Sequence, residues 1–456
     1  MLAPNQIAAL AIFAGVFVSL ITDKVHRYIP ALIGGALTLL VVFLGIERNP
    51  QTAIGAVNLA ELGRTTFWIG DYQPGVPFGV NWQTILFIGG MMVLVEGLRA
   101  VGFFRWLCLN TAQMVNYRAI PIALVFMLLS GVMSMFLDSV TVVLFMASVT
   151  IELGRLLKIN PVPLIIAEIV AANAGGTATM VGDPPNIIIG TSLGLGFSAF
   201  VRNTAPIVWT GMAAALGYFY LRFRKEKAGT GSEVGISARH YPKPGEAISN
   251  RNLFGIQVAT LLLVVVLLIV HEKAGLSVVT VSFIGAGTTL VVSRKGASDL
   301  IKGVDWRTLL FFLGLFVTVS GLEETGLLQL LANYISGISG HSFVEATLLV
   351  FWVSAFISAL VDNIPFATIM VPVIVHLSQS TGGALPTFAW ALSLGGNIGG
   401  NATPIGASAN VVGVAVAEKT GNRISWKRYM NYAVLPTLII LVISNLLLVA
   451  RYLGGF

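Results

Sequence analysis

The chain alternates long apolar stretches with short polar ones, and the apolar stretches have the length of membrane crossings. Continuous runs predict spans near 5–22, 29–46, 83–100, 204–222, 253–271, 277–293, 306–322 and 430–449. Two further spans, 162–197 and 386–417, are interrupted by polar and helix-breaking residues. The uninterrupted runs approach the ~20 residues a helix needs to cross the hydrocarbon. Two other regions, 119–157 and 343–378, each hold paired apolar runs split by an aspartate. In the first, Ile122–Leu137 and Val140–Ile151 are 16 and 12 residues long. Both fall short of a comfortable crossing and suit a re-entrant hairpin better than two full spans, the alternative. Either way the pair returns the chain to its own side.

The pattern is duplicated. Residues 81–190 reappear without a gap 224 positions later, so that Trp82 falls on Trp306, Asp138 on Asp362 and Asn173 on Asn397. The first two spans match the sixth and seventh at a shift of 248, the difference lying in the loop 47–80. Five crossings per copy is an odd number, so the second copy enters the membrane from the opposite side. The expected fold is an all-α polytopic membrane protein of two inverted repeats, each with a re-entrant hairpin and a broken helix. The repeats occupy 1–222 and 253–456, joined by a polar linker at 223–252.

Composition agrees. The chain is 56% hydrophobic and 10% charged, where a soluble protein carries about a quarter of its residues charged. The segment MLAPNQIAAL lacks the basic region and cleavage site of a secretory signal and reads as part of the first span. A single cysteine, Cys108, excludes a disulfide framework and any cysteine-based metal cluster. With both termini outside, 22 of the 27 Lys and Arg face the cytoplasm, among them Lys24, Arg27 and the seven between 222 and 252. This follows the positive-inside rule, accounts for the net charge of +7 without a nucleic-acid partner, and puts the linker in the cytoplasm and the chain in a plasma membrane.

Candidate chemistry concentrates in the breaks. GGTATMVGDPPN (175–186) and its counterpart GGNATPIGASAN (399–410) cannot continue a helix. Irregular backbone at membrane depth is tolerated only inside protein or beside a watery cavity. There it would expose carbonyls, amides and the side chains of Thr177, Thr179, Asp183, Asn186, Asn401, Thr403, Ser408 and Asn410, flanked by Asn173 and Asn397. A long extramembrane loop is the plainer reading of the same turn chemistry. Paired broken segments in two apolar halves point instead to a transport site.

The hairpin tips read MFLDSVTVV (135–143) and ALVDNIPFA (359–367). Asp138 and Asp362 could serve simply as N-caps of the helices that follow. Were the tips to reach the membrane centre, two helix N-termini would point inward, with Ser139, Thr141 and Asn363 beside them. A carboxyl there is disfavoured in its charged form and becomes a candidate proton or cation carrier. Asp138, Asp183 and Asp362 form that set, with Glu168 on the approach to Asn173. The four motif segments contain no Lys or Arg, which disfavours a multivalent carboxylate unless cations accompany it. Glu96 is expected to pair with Arg99 or Arg105, and Cys108 to serve as packing. The midplane set holds no His or Cys, so neither an enzyme nor a metal or other cofactor is expected.

At GGTATMVGDPPNIIIG, FLDSVTVVLFM, DNIPFATIM and GGNATPIGASANVV the sequence resembles the ion transporter superfamily, most closely its ArsB/NhaD and P-protein permease branch. The resemblance spans nearly the whole chain. It implies a scaffold region and a mobile transport region holding two hairpins and two broken helices. In the carboxylate-transporting branch the hairpin tips resemble Ser-Asn-Thr; here they begin with Asp138 and Asp362. ArsB-like members expel arsenite or antimonite, and NhaD-like members exchange sodium for protons. The resemblance therefore implies proton-coupled export of arsenite or antimonite, with sodium/proton antiport as the runner-up, and admits a soluble ATPase subunit as partner.

Overall fold

The computed structural model describes residues 2–22, 25–70, 78–230 and 242–454. Lys24 and residues 231–241 of the linker lie outside the described residues. The first repeat consists of α1 (Pro4–Thr22), α2 (Tyr28–Ile46), α3 (Trp82–Ala100), a hairpin of α4 (Ala119–Ser134) and α5 (Ser139–Leu157), a broken helix of α6 (Val162–Thr177) and α7 (Pro184–Leu193), and α8 (Ala205–Thr230). The second follows the same order. It comprises α9 (Arg251–Val270), α10 (Val278–Val292), α11 (Trp306–Glu324), the hairpin α12 (Phe343–Leu360) and α13 (Asn363–Thr381), the broken helix α14 (Leu385–Gly399) and α15 (Ser408–Lys419), and α16 (Trp426–Leu448). Each helix thus has its counterpart eight labels on. Among the described residues the fold is all-helical, with one isolated antiparallel bridge between Ile69 and Leu276. Nine helices there are long and apolar enough to cross a membrane, the hairpin arms α5, α12 and α13 among them, and α7 is followed by Phe197–Asn203 at a bend of 113°.

The two repeats interlock reciprocally. Helix α2 packs on α11 and α3 on α10; α5 packs on α15 and α13 on α7; α6 meets α14, and α8 meets α16. Each contact maps onto another, or onto itself, under exchange of the repeats, as a twofold relation requires. Lipid tails are as apolar as leucine, so close van der Waals contact rather than hydrophobic burial holds such helices together. Small residues permit it. A Cβ added at Gly90 of α3 would stand 2.6 Å from Ser282 Oγ on α10, and one at the equivalent Gly314 of α11 would stand 2.3 Å from the Ala31 carbonyl carbon on α2. These four helices pack together, with the largely exposed α1 and α9 beside them, and each broken helix packs with an arm of its own hairpin.

The second arm of the first hairpin exceeds the apolar run that announced it, while α4 matches its own at 16 residues. Helix α5 has 19 residues, and α12 and α13 have 18 and 19. Helix α5 continues past Ile151 because its charged end finds partners: Arg105 donates to Glu152 at 2.6 Å, and Arg155 to the Thr420 carbonyl at 3.2 Å. On the same face, Ser249 N donates to the Val101 carbonyl and Tyr117 to that of Pro242, which marks it as the linker face. On the opposite face, Gln6 at the start of α1 donates to the Thr325 carbonyl just beyond α11. The hairpins therefore approach from opposite faces, and their tips meet in the middle.

Candidate transport site

The breaks are built by close backbone approach as much as by loss of helix propensity. A Cβ on Gly175 would fall 2.1 Å from the Gly131 carbonyl oxygen on α4, and one on the equivalent Gly399 would fall 2.3 Å from that of Ala355 on α12. Only glycine fits there, so each broken helix lies against an arm of its own hairpin. Thr179 Oγ1 donates to the Met135 carbonyl at 2.5 Å, and Thr403 Oγ1 to that of Ala359 at 2.5 Å. The breaks are thereby tied to the hairpin tips.

Stopping a helix orphans its last carbonyls. Asn186, from the first turn of α7, reaches back and donates to the carbonyls of Gly176, Thr177 and Thr179 at 3.2, 3.2 and 2.8 Å. Asn410 does the same for Gly400 and Thr403, both at 2.8 Å. The two breaks are also joined to each other. Asn173 Nδ2 donates to Asn401 Oδ1 and Asn410 Oδ1, both at 2.7 Å, and Asn397 Nδ2 donates to Asn186 Oδ1 at 2.8 Å. These five asparagines are buried. Expected from sequence to face a solute, they find most of their partners in the protein and form a cross-repeat frame. Thr177 likewise turns back on its own helix, donating to the Asn173 carbonyl.

The carboxyls divide into three environments. Asp183 precedes α7 in extended conformation, yet its side chain makes no cap bond. Instead Ser139 Oγ donates to one of its oxygens at 3.3 Å, and Asn363 Nδ2 lies 3.5 Å from the other. Ser139 and Asn363 are the repeat-equivalent residues of the two hairpin tips. Asp183 is therefore buried between both tips, within electrostatic reach of Asp138 and Asp362. Asp138 caps α5, its Oδ2 accepting from Thr141 N at 3.1 Å and Thr141 Oγ1 at 3.2 Å. Its Oδ1 is buried with no hydrogen-bond partner among the described residues. Asp362 caps α13 through Ile364 N at 3.1 Å, and its other oxygen accepts from Ser408 Oγ at 2.6 Å. Capping and central placement, posed as alternatives by the sequence, coexist.

Asp362 has a further partner that sequence reasoning missed. Arg27, in the turn between α1 and α2, donates through Nη1 to Asp362 Oδ2 at 2.5 Å and to Ser408 Oγ at 3.1 Å. The four motif segments contain no cation, but this turn delivers one. Its counterpart at the shift of 248 is Gly275, so Asp138 has no equivalent arginine. The duplication carries no signal for Arg27; Ser408, standing where the first repeat has Pro184, is the nearest hint. The ion pair lines a cleft of about 450 Å³, otherwise apolar, with Leu20, Phe311, Pro365 and Ile405 in its walls.

The remaining candidates lie apart. Glu168 accepts from Thr150 Oγ1, and its Oε2 is buried with no partner among the described residues. It lies nine residues, about 13.5 Å of helix, before the end of α6, outside the aspartate cluster. Arg99 pairs with Glu96, and Cys108 Sγ is buried 3.3 Å from Met146 Sδ.

Residues 17–395 match the family model described as CitMHS, citrate transporter. An uncharacterized transporter of Mycobacterium tuberculosis is 32% identical over 449 residues, 98% of this chain and 99% of that one. The P protein of Homo sapiens is 27% identical over 504 residues, covering 93% of this chain and 57% of that longer protein. Among solved structures, the YdaH transporter of Alcanivorax borkumensis, described as having an unusual topology, superposes with a TM-score of 0.60 at 14% identity, over 93% of this chain and 99% of that one. MtrF of Neisseria gonorrhoeae, described among antimetabolite efflux pumps, gives 0.55 at 12% identity, over 99% and 96%. At those identities the two structures speak to the fold alone.

Proposed function

The chain belongs to the CitMHS citrate transporter family, and from that premise we propose that it is a proton-coupled secondary active transporter working by alternating access. The observation that carries this reading is Asp183, a buried carboxyl held by the hairpin tips of both repeats through Ser139 and Asn363. A group shared by two inverted halves is positioned to be exposed to either face as the hairpins and broken helices move against the scaffold body. A proton and an outgoing solute compete for it. With the proton on Asp183 the site returns empty; with the proton released, the carboxylate and its neighbouring hydroxyl and amide accept the solute's hydroxyl protons.

The solute we propose is arsenite or antimonite, exported toward the face opposite the linker. At neutral pH arsenite is largely the uncharged trihydroxide, which needs hydrogen-bonding partners and no counter-charge. Asp183, Ser139 and Asn363 supply such partners, and the ArsB-like motifs favour this cargo. A second reading has its own support. Arg27 and Ser408 already hold one carboxylate, that of Asp362, and the family's description names citrate, so a carboxylate carried with cations is the rival.

The test is transport in everted membrane vesicles under an imposed pH gradient, with arsenite, antimonite, sodium, lithium and citrate added in turn. Dissipation of the gradient by arsenite or antimonite supports the first reading. A response to citrate alone selects the second, and a response to sodium or lithium alone selects cation/proton antiport. If none of the five solutes moves protons through correctly inserted protein, proton coupling is wrong.

A further inference from the structure

The face opposite the linker carries a second cleft, of about 330 Å³, in the seam between α3 and α11 on one side and α7 and α13 on the other. Its polar wall is Glu323, Ser320, Asn81, Ser192 and Thr368, and among the described residues no basic side chain lines it. The cleft lies directly over the central site. Ile188 and Thr368 in its wall are each five residues beyond Asp183 and Asn363 on their helices. At 1.5 Å per residue it begins about 7.5 Å from those groups. Asn81 Nδ2 bridges the seam, donating to Thr191 Oγ1 at 2.9 Å and Ser192 Oγ at 3.1 Å, beside the apolar Ile188, Phe316 and Val371.

The duplication makes Glu323 conspicuous. At the shift of 224, Glu323 falls on Arg99 and Ser320 on Glu96. In the first repeat those two residues neutralise one another, and their corner is filled, since a Cβ on Gly303 would stand 2.4 Å from Glu96 Oε1. In the second repeat the base is replaced by an acid and the acid by a serine, and the corner is open. Glu324 lies within electrostatic reach of Glu323, and Glu47 within reach of Glu324. A cleft whose one ionisable lining residue among the described residues is an acid repels anions and concentrates cations.

We propose that Glu323 is the residue at which the coupling cation is taken up from the face opposite the linker, on its way to Asp183. The ligand is a proton or a small monovalent cation, held by the carboxylate and the surrounding hydroxyl and amide oxygens. This rests on the cation-coupled reading above and adds to it a place and a side. Glu323 holds the cation in the outer cleft, and movement of α7 and α13 against α3 and α11 opens the remaining distance to the central carboxyl.

The test uses purified full-length protein in proteoliposomes, with pH or sodium varied only in the compartment bathing the face opposite the linker. Glu323→Gln is expected to raise the half-saturating cation concentration on that face at least tenfold, with substrate half-saturation on the linker face within twofold of wild type. Glu323→Asp restores the cation response to within threefold. The sodium and pH arms identify the cation. A Glu323→Gln protein with wild-type cation dependence overturns the proposal. A wild-type protein indifferent to cations on both faces instead overturns the coupling reading beneath it, and that result needs no variant. Should Glu323→Gln fail to insert, carbodiimide labelling of wild type replaces it. Modification mapped to Glu323 and slowed at least fivefold by the cation supports the site, and unprotected or absent modification overturns it.

Discussion

Arg27 Nη1 stands 2.5 Å from Asp362 Oδ2, an ion pair across 335 residues that joins the first turn of the scaffold to a hairpin tip of the second repeat. The arginine side chain is 28% exposed and the aspartate 10%, so the pair lies in a cleft neither dry nor fully solvated. It is also one-sided, because the other repeat has glycine at the arginine's place. Movement of this hairpin tip away from the α1–α2 turn by more than the arginine's reach breaks it.

That relationship predicts a coupling energy. Arg27→Gln and Asp362→Asn should each slow transport about tenfold or more, the first by stranding a carboxylate in an apolar cleft. The double variant should lose less than the product of the two, since the interaction is removed only once. Transport rates across the four-member cycle measure it, and strict additivity would show that the pair has no functional weight.

The breaks predict a contrast among glycines. Gly175→Ala and Gly399→Ala drive a methyl group into a backbone carbonyl of the adjacent hairpin arm and should each destabilise by about 3 kcal/mol. Gly396→Ala has no atom within 4 Å of the added carbon and should leave stability unchanged or raise it slightly. Thermal unfolding in detergent distinguishes them. Equal losses at all three would mean that helix breaking, not close approach, selects these glycines.

Asn186 predicts a stability role separable from solute binding. It donates to three carbonyls of the broken helix and accepts from Asn397 and from Ser393 at 2.6 Å. Asn186→Ala orphans buried groups and should cost about 2–3 kcal/mol, seen as a lowered unfolding temperature with or without substrate. A loss of substrate affinity at wild-type stability would return Asn186 to the solute site.

Much of this was legible in the sequence because duplication turns one ambiguous pattern into two that must agree. The spans, the interruptions at 175–186 and 399–410, and the paired aspartates all follow from apolar run length and the 224-residue shift. Charged residues misled in two ways. Glu152 and Arg155 hid the last turn of α5, because a charge on a helix end reads as the end of the span until its partner is known. Arg27 was counted only as one of the positive residues that set sidedness, because nothing local marks a side chain whose partner lies in the other repeat. The asparagines carry a structural role that the sequence does not announce. A polar residue at a break looks like a ligand from sequence, whereas terminating a helix inside a membrane creates orphan carbonyls that these residues must satisfy first.

The central claim is that one buried carboxyl, shared by both hairpin tips, is where proton and solute compete. Asp183→Asn keeps the side chain's shape and its capacity to bond Ser139 and Asn363 while removing the titratable group, so insertion and thermal stability should survive. Substrate-driven proton movement in everted vesicles is the direct measurement. The account predicts that Asp183→Asn abolishes it, with the protein present at wild-type abundance; full coupled transport by that variant would contradict the assignment.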